Sequence, residues 1–169
     1  MRTVKNSLLF LSVLCTFAYG SVTAQELHES WVLDKEKSTI EGSMSEWLVG
    51  MELVVTIAGD NLKLEFTYQT KDNNFTDVIE VTFGAEAKTR NIMGRMGQGK
   101  ATSQAQHDDS QQNVTMHTDW TIEGNNGTSK FSTDDLYSRS EDWENLILKR
   151  KTESKSGISN STLIFKKNV

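Results

Sequence analysis

The chain has no proline, and its single cysteine is Cys15. That cysteine lies within the first 24 residues, so the rest of the chain has neither a disulfide framework nor a thiol nucleophile to offer. Beyond residue 24 no apolar run approaches the 20 or so residues that a membrane-spanning helix needs. There is also no sustained stripe of apolar residues at a 3.6-residue period, so long amphipathic helices are not expected. Basic residues are in deficit. The 18 Lys and Arg face 23 Asp and Glu, and Arg2 and Lys5 fall in the first 24 residues, which contain no acid; this leaves 16 against 23, a net charge of −7. Such a balance argues against binding nucleic acid or an anionic membrane surface.

What the first 24 residues do contain is the pattern of a cleavable export signal. Arg2 and Lys5 precede an apolar run from Leu8 to Tyr19, and Val22-Thr23-Ala24 places small residues at a cleavage position. Leu14 before Cys15 does not suit a lipoprotein signal. The sequence therefore predicts a signal peptide over 1–24, one domain over 25–169, and a periplasmic or secreted location.

The dominant period of that domain is two. Leu62, Leu64, Phe66 and Tyr68 alternate with Lys63, Glu65, Thr67 and Gln69; Ile79, Val81 and Phe83 alternate with Glu80 and Thr82. Met116, Trp120 and Ile122 alternate with Thr115, His117, Asp119 and Glu123, and Thr118 falls on the apolar side. Strands with one wet and one dry face read this way. Turn signals separate them: AGDN at 58–61, KDNN at 71–74, HDDSQQ at 107–112, EGNNG at 123–127 and SEDWEN at 140–145. Ten strands follow, over 30–34, 51–58, 62–70, 76–84, 86–92, 100–106, 113–123, 128–138, 146–153 and 158–167. Asp34 can cap a helical turn over KEKS, and the segment 39–50 has no clear assignment beyond covering one end. A sheet of this size curls, so the expected fold is all-β: one antiparallel up-and-down barrel of about eight to ten strands.

WVLDKEKS at 31–38, the VTIAGDNLKLEFT hairpin, the LYSRSEDWENLILKR hairpin and the closing TLIFKK together resemble small exported bacterial proteins with a lipocalin-like barrel. The resemblance spans nearly the whole exported chain. It implies the barrel fold and an apolar ligand inside it. In lipocalins proper a tryptophan of the first strand packs under an arginine of the last; by that likeness Trp31 takes the tryptophan's part, with Arg150 or Lys149 as the expected partner, although Glu29 stands where those proteins have glycine. Tyr137 stands where these proteins carry a tryptophan.

Three motifs suggest other chemistries. Gly94 to Lys100 spells G-x-x-x-x-G-K, the core of a phosphate-binding loop. Ala101 occupies its magnesium-ligand position, and the following ATSQAQHDDSQQ has no apolar helical face, so a glycine-rich connection between strands is expected instead. That connection becomes a lid if it sits at an open mouth. His107 and His117 flank one hairpin and would face each other across a turn centred near residue 112, where they could hold a metal. Since His117 falls on the wet face, no metal site is expected. Asp and Glu fall in turns and on wet faces, no serine sits in a nucleophile elbow, and no catalytic set or cofactor emerges. The LKRK at 148–151 and the KK at 166–167 are expected to lie on neighbouring strands as solvated edges. Four N-x-Ser/Thr sequons occur at Asn74, Asn113, Asn126 and Asn160.

The remaining candidates are the dry-face residues Leu64, Phe66, Val81, Phe83, Met116 and Trp120, with Tyr68 as a polar anchor near one mouth. They line either a packed core or a cavity of a few hundred cubic ångströms. The leading expectation is non-catalytic binding of a small apolar or amphiphilic molecule. The alternatives are an envelope structural or protein-interaction module with a filled core, and an enzyme, hydrolytic or isomerising, at the barrel mouth.

Overall fold

The computed structural model describes residues 27–94, 97–108, 113–124 and 127–168. The expected signal peptide, 1–24, lies outside the described residues.

The described residues form ten strands: β1 (Leu27–Leu33), β2 (Gly50–Ala58), β3 (Asn61–Gln69), β4 (Asn74–Thr82), β5 (Lys88–Gly94), β6 (Gly97–His107), β7 (Asn113–Gly124), β8 (Gly127–Arg139), β9 (Asn145–Ser154) and β10 (Gly157–Lys167). They make one antiparallel sheet in the order β4-β3-β2-β1-β10-β9-β8-β7-β6-β5. The alternation dictates its curvature. Most strands bury alternate side chains along part of their length, so the sheet curls round its apolar face, and the buried residues of both halves meet in one core. That core includes Trp31, Leu53, Leu64, Phe66, Leu148, Leu163 and Phe165. Lys63, Glu65, His117, Asp119, Lys149 and Lys151 alternate with buried neighbours and point outward. This apolar-in, polar-out pattern is the inverse of a transmembrane barrel. No described helix is long and apolar enough to cross a membrane.

The segment between β1 and β2 is not strand. Residues 35–37 form a turn rather than a helix, fixed by the Ser38 hydroxyl donating to the Asp34 carbonyl at 2.7 Å. The one helix among the described residues is α1 (Met44–Trp47). Leu48, just past it, is buried, and Trp47 packs at 6.0 Å from Tyr68 and 5.8 Å from Phe75. The unassigned segment thus covers the barrel end that carries the β3–β4 turn. The glycine-rich motif proves to be mostly ladder. Gly94 pairs with Gly97, and β6 runs beside β7 from Gln98 onward. Gly97 has φ +126°, and a Cβ on Gly99 would sit 2.2 Å from the Thr121 carbonyl, so both positions need glycine for backbone reasons.

Closure is incomplete along one line. Among the described residues no backbone ladder joins β4 to β5; side chains span the seam instead. Arg90 on β5 grips Asp77 on β4 through Nη2 at 2.8 Å and Nε at 3.3 Å, and Lys88 lies 3.7 Å from Glu80. Beyond the start of β5, the Gly84 N–H donates to the Ala105 carbonyl of β6 at 3.1 Å.

Leu163→Ala, at a fully buried position, should lower the unfolding free energy by about 2–5 kcal/mol, whereas Ile158→Ala, on an exposed side chain, should stay within about 0.5 kcal/mol. Urea titration followed by tryptophan fluorescence measures both; equal effects would mean that the assignment of inside and outside is wrong.

Candidate functional site

In an antiparallel ladder, directly opposed residues share a face. The register therefore groups the inward side chains into rows across strands. One row is made of hydroxyls from β6 to β10 and meets Lys88 of β5 at its end. Ser103 opposes Thr118, Thr118 opposes Thr133, Thr133 opposes Thr152, and Thr152 opposes Ser159. It crosses the five strands β6 to β10. Ser103, Thr118 and Thr133 are buried, and the Ser103 and Thr118 hydroxyls are 3.0 Å apart. The neighbouring row is Ala105, Met116, Asp135, Arg150 and Ser161.

Asp135 and Arg150 are the central pair of that row. The guanidinium donates twice to the carboxylate, Nε to Oδ1 and Nη2 to Oδ2, both at 2.7 Å. The Asp135 side chain retains 1% of its exposure and that of Arg150 retains 13%. Tyr137 donates its hydroxyl to Asp135 Oδ2 at 3.3 Å. Burial opposes the Arg150 charge, but Asp135 more than offsets it and holds the guanidinium well above its ordinary value. Burial, reinforced by Asp135, keeps the Tyr137 phenol neutral far into the alkaline range. Burial also raises Tyr68, with the nearby Arg150 charge pulling the other way.

Arg90 extends the polar layer to the seam. Besides Asp77 it donates from Nη1 to the Ser103 hydroxyl at 2.9 Å, and its guanidinium lies 5.2 Å over the Trp120 ring. Trp120 donates its indole N–H to Thr133 at 3.1 Å and stacks on Phe131 at 5.6 Å. On the other wall Tyr68 stacks on Phe75 at 4.8 Å beneath Trp47. The interior is therefore layered. A close-packed apolar half is capped by hydroxyls and two arginine–carboxylate pairs, and aromatic rings border that polar layer: Tyr68, Phe75 and Trp47 on one side, Trp120 and Phe131 on the other.

Of the seven residues proposed from the sequence, Tyr68 and Trp120 border the polar layer. Leu64, Phe66, Val81 and Met116 belong to the packed half and are at most 5% exposed. Phe83 sits at the opposite end, edge-on to His107 at 4.8 Å. Asp77 and Asp135 correct the expectation that carboxylates stay on wet faces, and Arg150 is turned inward rather than contributing to a basic edge. Their positions on the dry parity of their strands were the available signal. The cations over Trp31 are Arg139, at 5.5 Å, and Lys167, at 5.9 Å, not Arg150 or Lys149. Glu29 bridges both cations, and the exposed Trp143 covers the far side of Arg139 at 5.2 Å.

The histidines do not meet. In the register of β6 with β7, His107 opposes Val114 and His117 opposes Gln104; the expected turn at 109–112 lies outside the described residues. Among the described residues, no group of three His, Cys, Asp or Glu forms a metal site. His117 lies on the outer wall, in a cleft of about 420 Å³ with Gln104, Gln106, Thr115, Asp134 and Leu136. Its Nδ1 is 2.6 Å from Asp134, and this carboxylate raises its pKa above the ordinary 6.5. Stability from a raised pKa is fully present below 6.5 and is lost as pH rises through the folded value. The His117 resonance should accordingly titrate above 6.5 by NMR, and Asp134→Asn should return it toward 6.5.

Asp135→Ala should cost about 3–5 kcal/mol by leaving Arg150 buried and unpaired, while Asp135→Leu combined with Arg150→Met should restore most of that loss. Denaturant titration of the three proteins checks it; additive losses would show that the pair is not a unit. No protein-family model, curated protein sequence or solved structure matches the chain.

Proposed function

We propose that the chain is an exported, non-catalytic binding protein whose barrel holds a small apolar or amphiphilic molecule at the end bordered by Trp47, Tyr68, Phe75, Trp120 and Phe131, beneath the segment 39–50 that covers it. The observation that carries this reading is the polar layer inside the barrel. A buried ion pair contributes little net stability compared with apolar residues of the same volume, and a hydroxyl row contributes less than a row of valines. Seven strands nevertheless direct polar side chains to one level of the interior, next to aromatic rings. Arg150, Arg90 and Asp77 keep 13–20% of their side-chain exposure although they point inward, so solvent reaches this layer. Rings that bury ligand surface above groups that hydrogen-bond its polar end are what a small-molecule site requires.

Of the residues proposed from the sequence, Tyr68 and Trp120 would touch the ligand, while Leu64, Phe66, Val81 and Met116 would form the floor beneath. Export fits the leader pattern at 1–24. The resemblance to lipocalin-like exported barrels points in the same direction.

The neutral fluorophore N-phenyl-1-naphthylamine should bind saturably to the protein. Trp120→Ala should weaken binding about tenfold through the lost ring contact. Phe83→Ala, at the far end, should leave it unchanged. Absence of saturable binding, or equal loss in both variants, would refute an interior site at this end.

A further inference from the structure

We infer that the interior site selects an uncharged, hydrogen-bonding head group, such as the hydroxyl, ester or amide end of a neutral amphiphile, and discriminates against fatty carboxylates and alkylammonium ions. This rests on the binding reading above and deepens it by naming the ligand class.

The inference follows from charge pairing in the polar layer. It holds two cations, Arg90 and Arg150, and two anions, Asp77 and Asp135. Each guanidinium is spent on one carboxylate through two hydrogen bonds, at 2.8 and 3.3 Å for Arg90 and at 2.7 Å twice for Arg150. The formal charge of the layer is thus zero, and no inward cation of the layer lacks its own counter-ion. An ionised head group entering here would leave water for a low-dielectric site with no free partner charge, at a cost that its hydrogen bonds do not offset. A carboxylate would also stand beside Asp135 or Asp77 and meet like charge. An ammonium would meet the two guanidiniums in the same way.

The remaining polar groups suit a neutral head. Ser103, Thr118, Thr133, Thr152 and Ser159 form a row of hydroxyls across five strands, and each hydroxyl both donates and accepts. Ser103, Thr118 and Thr133 are engaged with Arg90, one another and Trp120, which leaves the half-buried Thr152 and Ser159 hydroxyls to meet an alcohol, carbonyl or amide, and the row offers no net charge to an ion. The excess of acidic residues over the whole exported chain adds a repulsive field for anions outside the barrel.

The test compares three twelve-carbon probes at pH 7.5 on the exported chain: dodecanol, dodecanoate and dodecylammonium, each displacing N-phenyl-1-naphthylamine. Dodecanol should bind about tenfold tighter than either ion, or more. Asp135→Asn leaves Arg150 charged without a counter-ion, so the dodecanoate-to-dodecanol affinity ratio should rise about tenfold. Asp77→Asn should move the ratio in the same direction through Arg90 and serves as the second variant, with circular dichroism confirming that each variant is folded. Dodecanoate or dodecylammonium binding as tightly as dodecanol, or a ratio unmoved in both folded variants, overturns the inference and leaves the interior site standing. Failure of all three probes and of the fluorophore to bind overturns the site itself.

Discussion

The two-residue pleat of a β-strand decides which side chains enter this barrel, and the ladder register decides which of them meet. Neither choice can be altered locally. A slip of one residue in any strand would send its apolar set to solvent and its charged set into the core. The register is held where the interior is most demanding. On β8, Thr133, Asp135 and Tyr137 point inward in succession, so one slip would expel a hydroxyl, a carboxylate and a phenol together and bring Asp134 and Leu136 into their places. The buried ion pair is thus a registration device for β8 and β9 as much as a source of stability, since Arg150 can reach its double hydrogen bond only when it stands directly opposite Asp135.

The same logic explains the seam. Neighbouring strands elsewhere are joined by backbone hydrogen bonds, which are indifferent to side-chain identity. Between β4 and β5 that role falls to side chains, with Arg90 and Asp77 as the least exposed pair, helped by Lys88 with Glu80 and by the Gly84 N–H on the Ala105 carbonyl. Arg90 also donates to Ser103 and covers Trp120, which couples the seam to the hydroxyl row and to the aromatic wall. Whatever displaces Asp77 from Arg90 also disturbs the layer on which a ligand head group would rest. The bidentate geometry and the partial burial of both side chains make this contact stronger than an exposed pair such as Lys88 with Glu80.

Much of the fold was legible because the pattern is periodic. Alternation along LKLEFTY and VTMHTDW names both faces of β3 and β7, and short Gly-, Asn- and Asp-rich turns mark the hairpins. All ten strands appear within a few residues of their expected limits. What could not be read depends on relations between strands. That Ser103, Thr118, Thr133, Thr152 and Ser159 form one row requires four registers at once, and each register depends on a turn centre that composition locates only to within a residue or two. His107 and His117 show the same sensitivity: the register that sets His107 opposite Val114 separates two imidazoles that a different register would have brought face to face. Helix α1 escaped for a different reason. Four residues carry no period, and they form a helix because Trp47 finds Tyr68 and Phe75 across the barrel end. For the candidate site, the sequence named Tyr68, Trp120 and Thr118 by parity, but passed over Asp135 and read Arg150 as a cation over Trp31 or part of a solvated edge, because charge was taken as evidence of exposure.

That last point bears on how a polar residue on a dry face should be weighed. An isolated inward carboxylate would be an unpaired buried charge and would not survive in a stable barrel. Two inward charges of opposite sign, on adjacent strands and at directly opposed positions, cancel, and the pair then becomes a neutral, strongly dipolar patch. Asp135 with Arg150 is one such pair by ladder, and Asp77 with Arg90 is another by side-chain reach across the seam. Between them lie only hydroxyls, an indole N–H and aromatic faces. The layer therefore has many hydrogen-bonding groups and no net charge, a combination that neither a purely apolar core nor an ion-binding site produces. The same side chains close the barrel, fix its register and determine the polarity of its interior. Substitutions that change what the interior can hold will for that reason also be felt in stability, most strongly at Asp135 and Arg150 and less at the exposed rim.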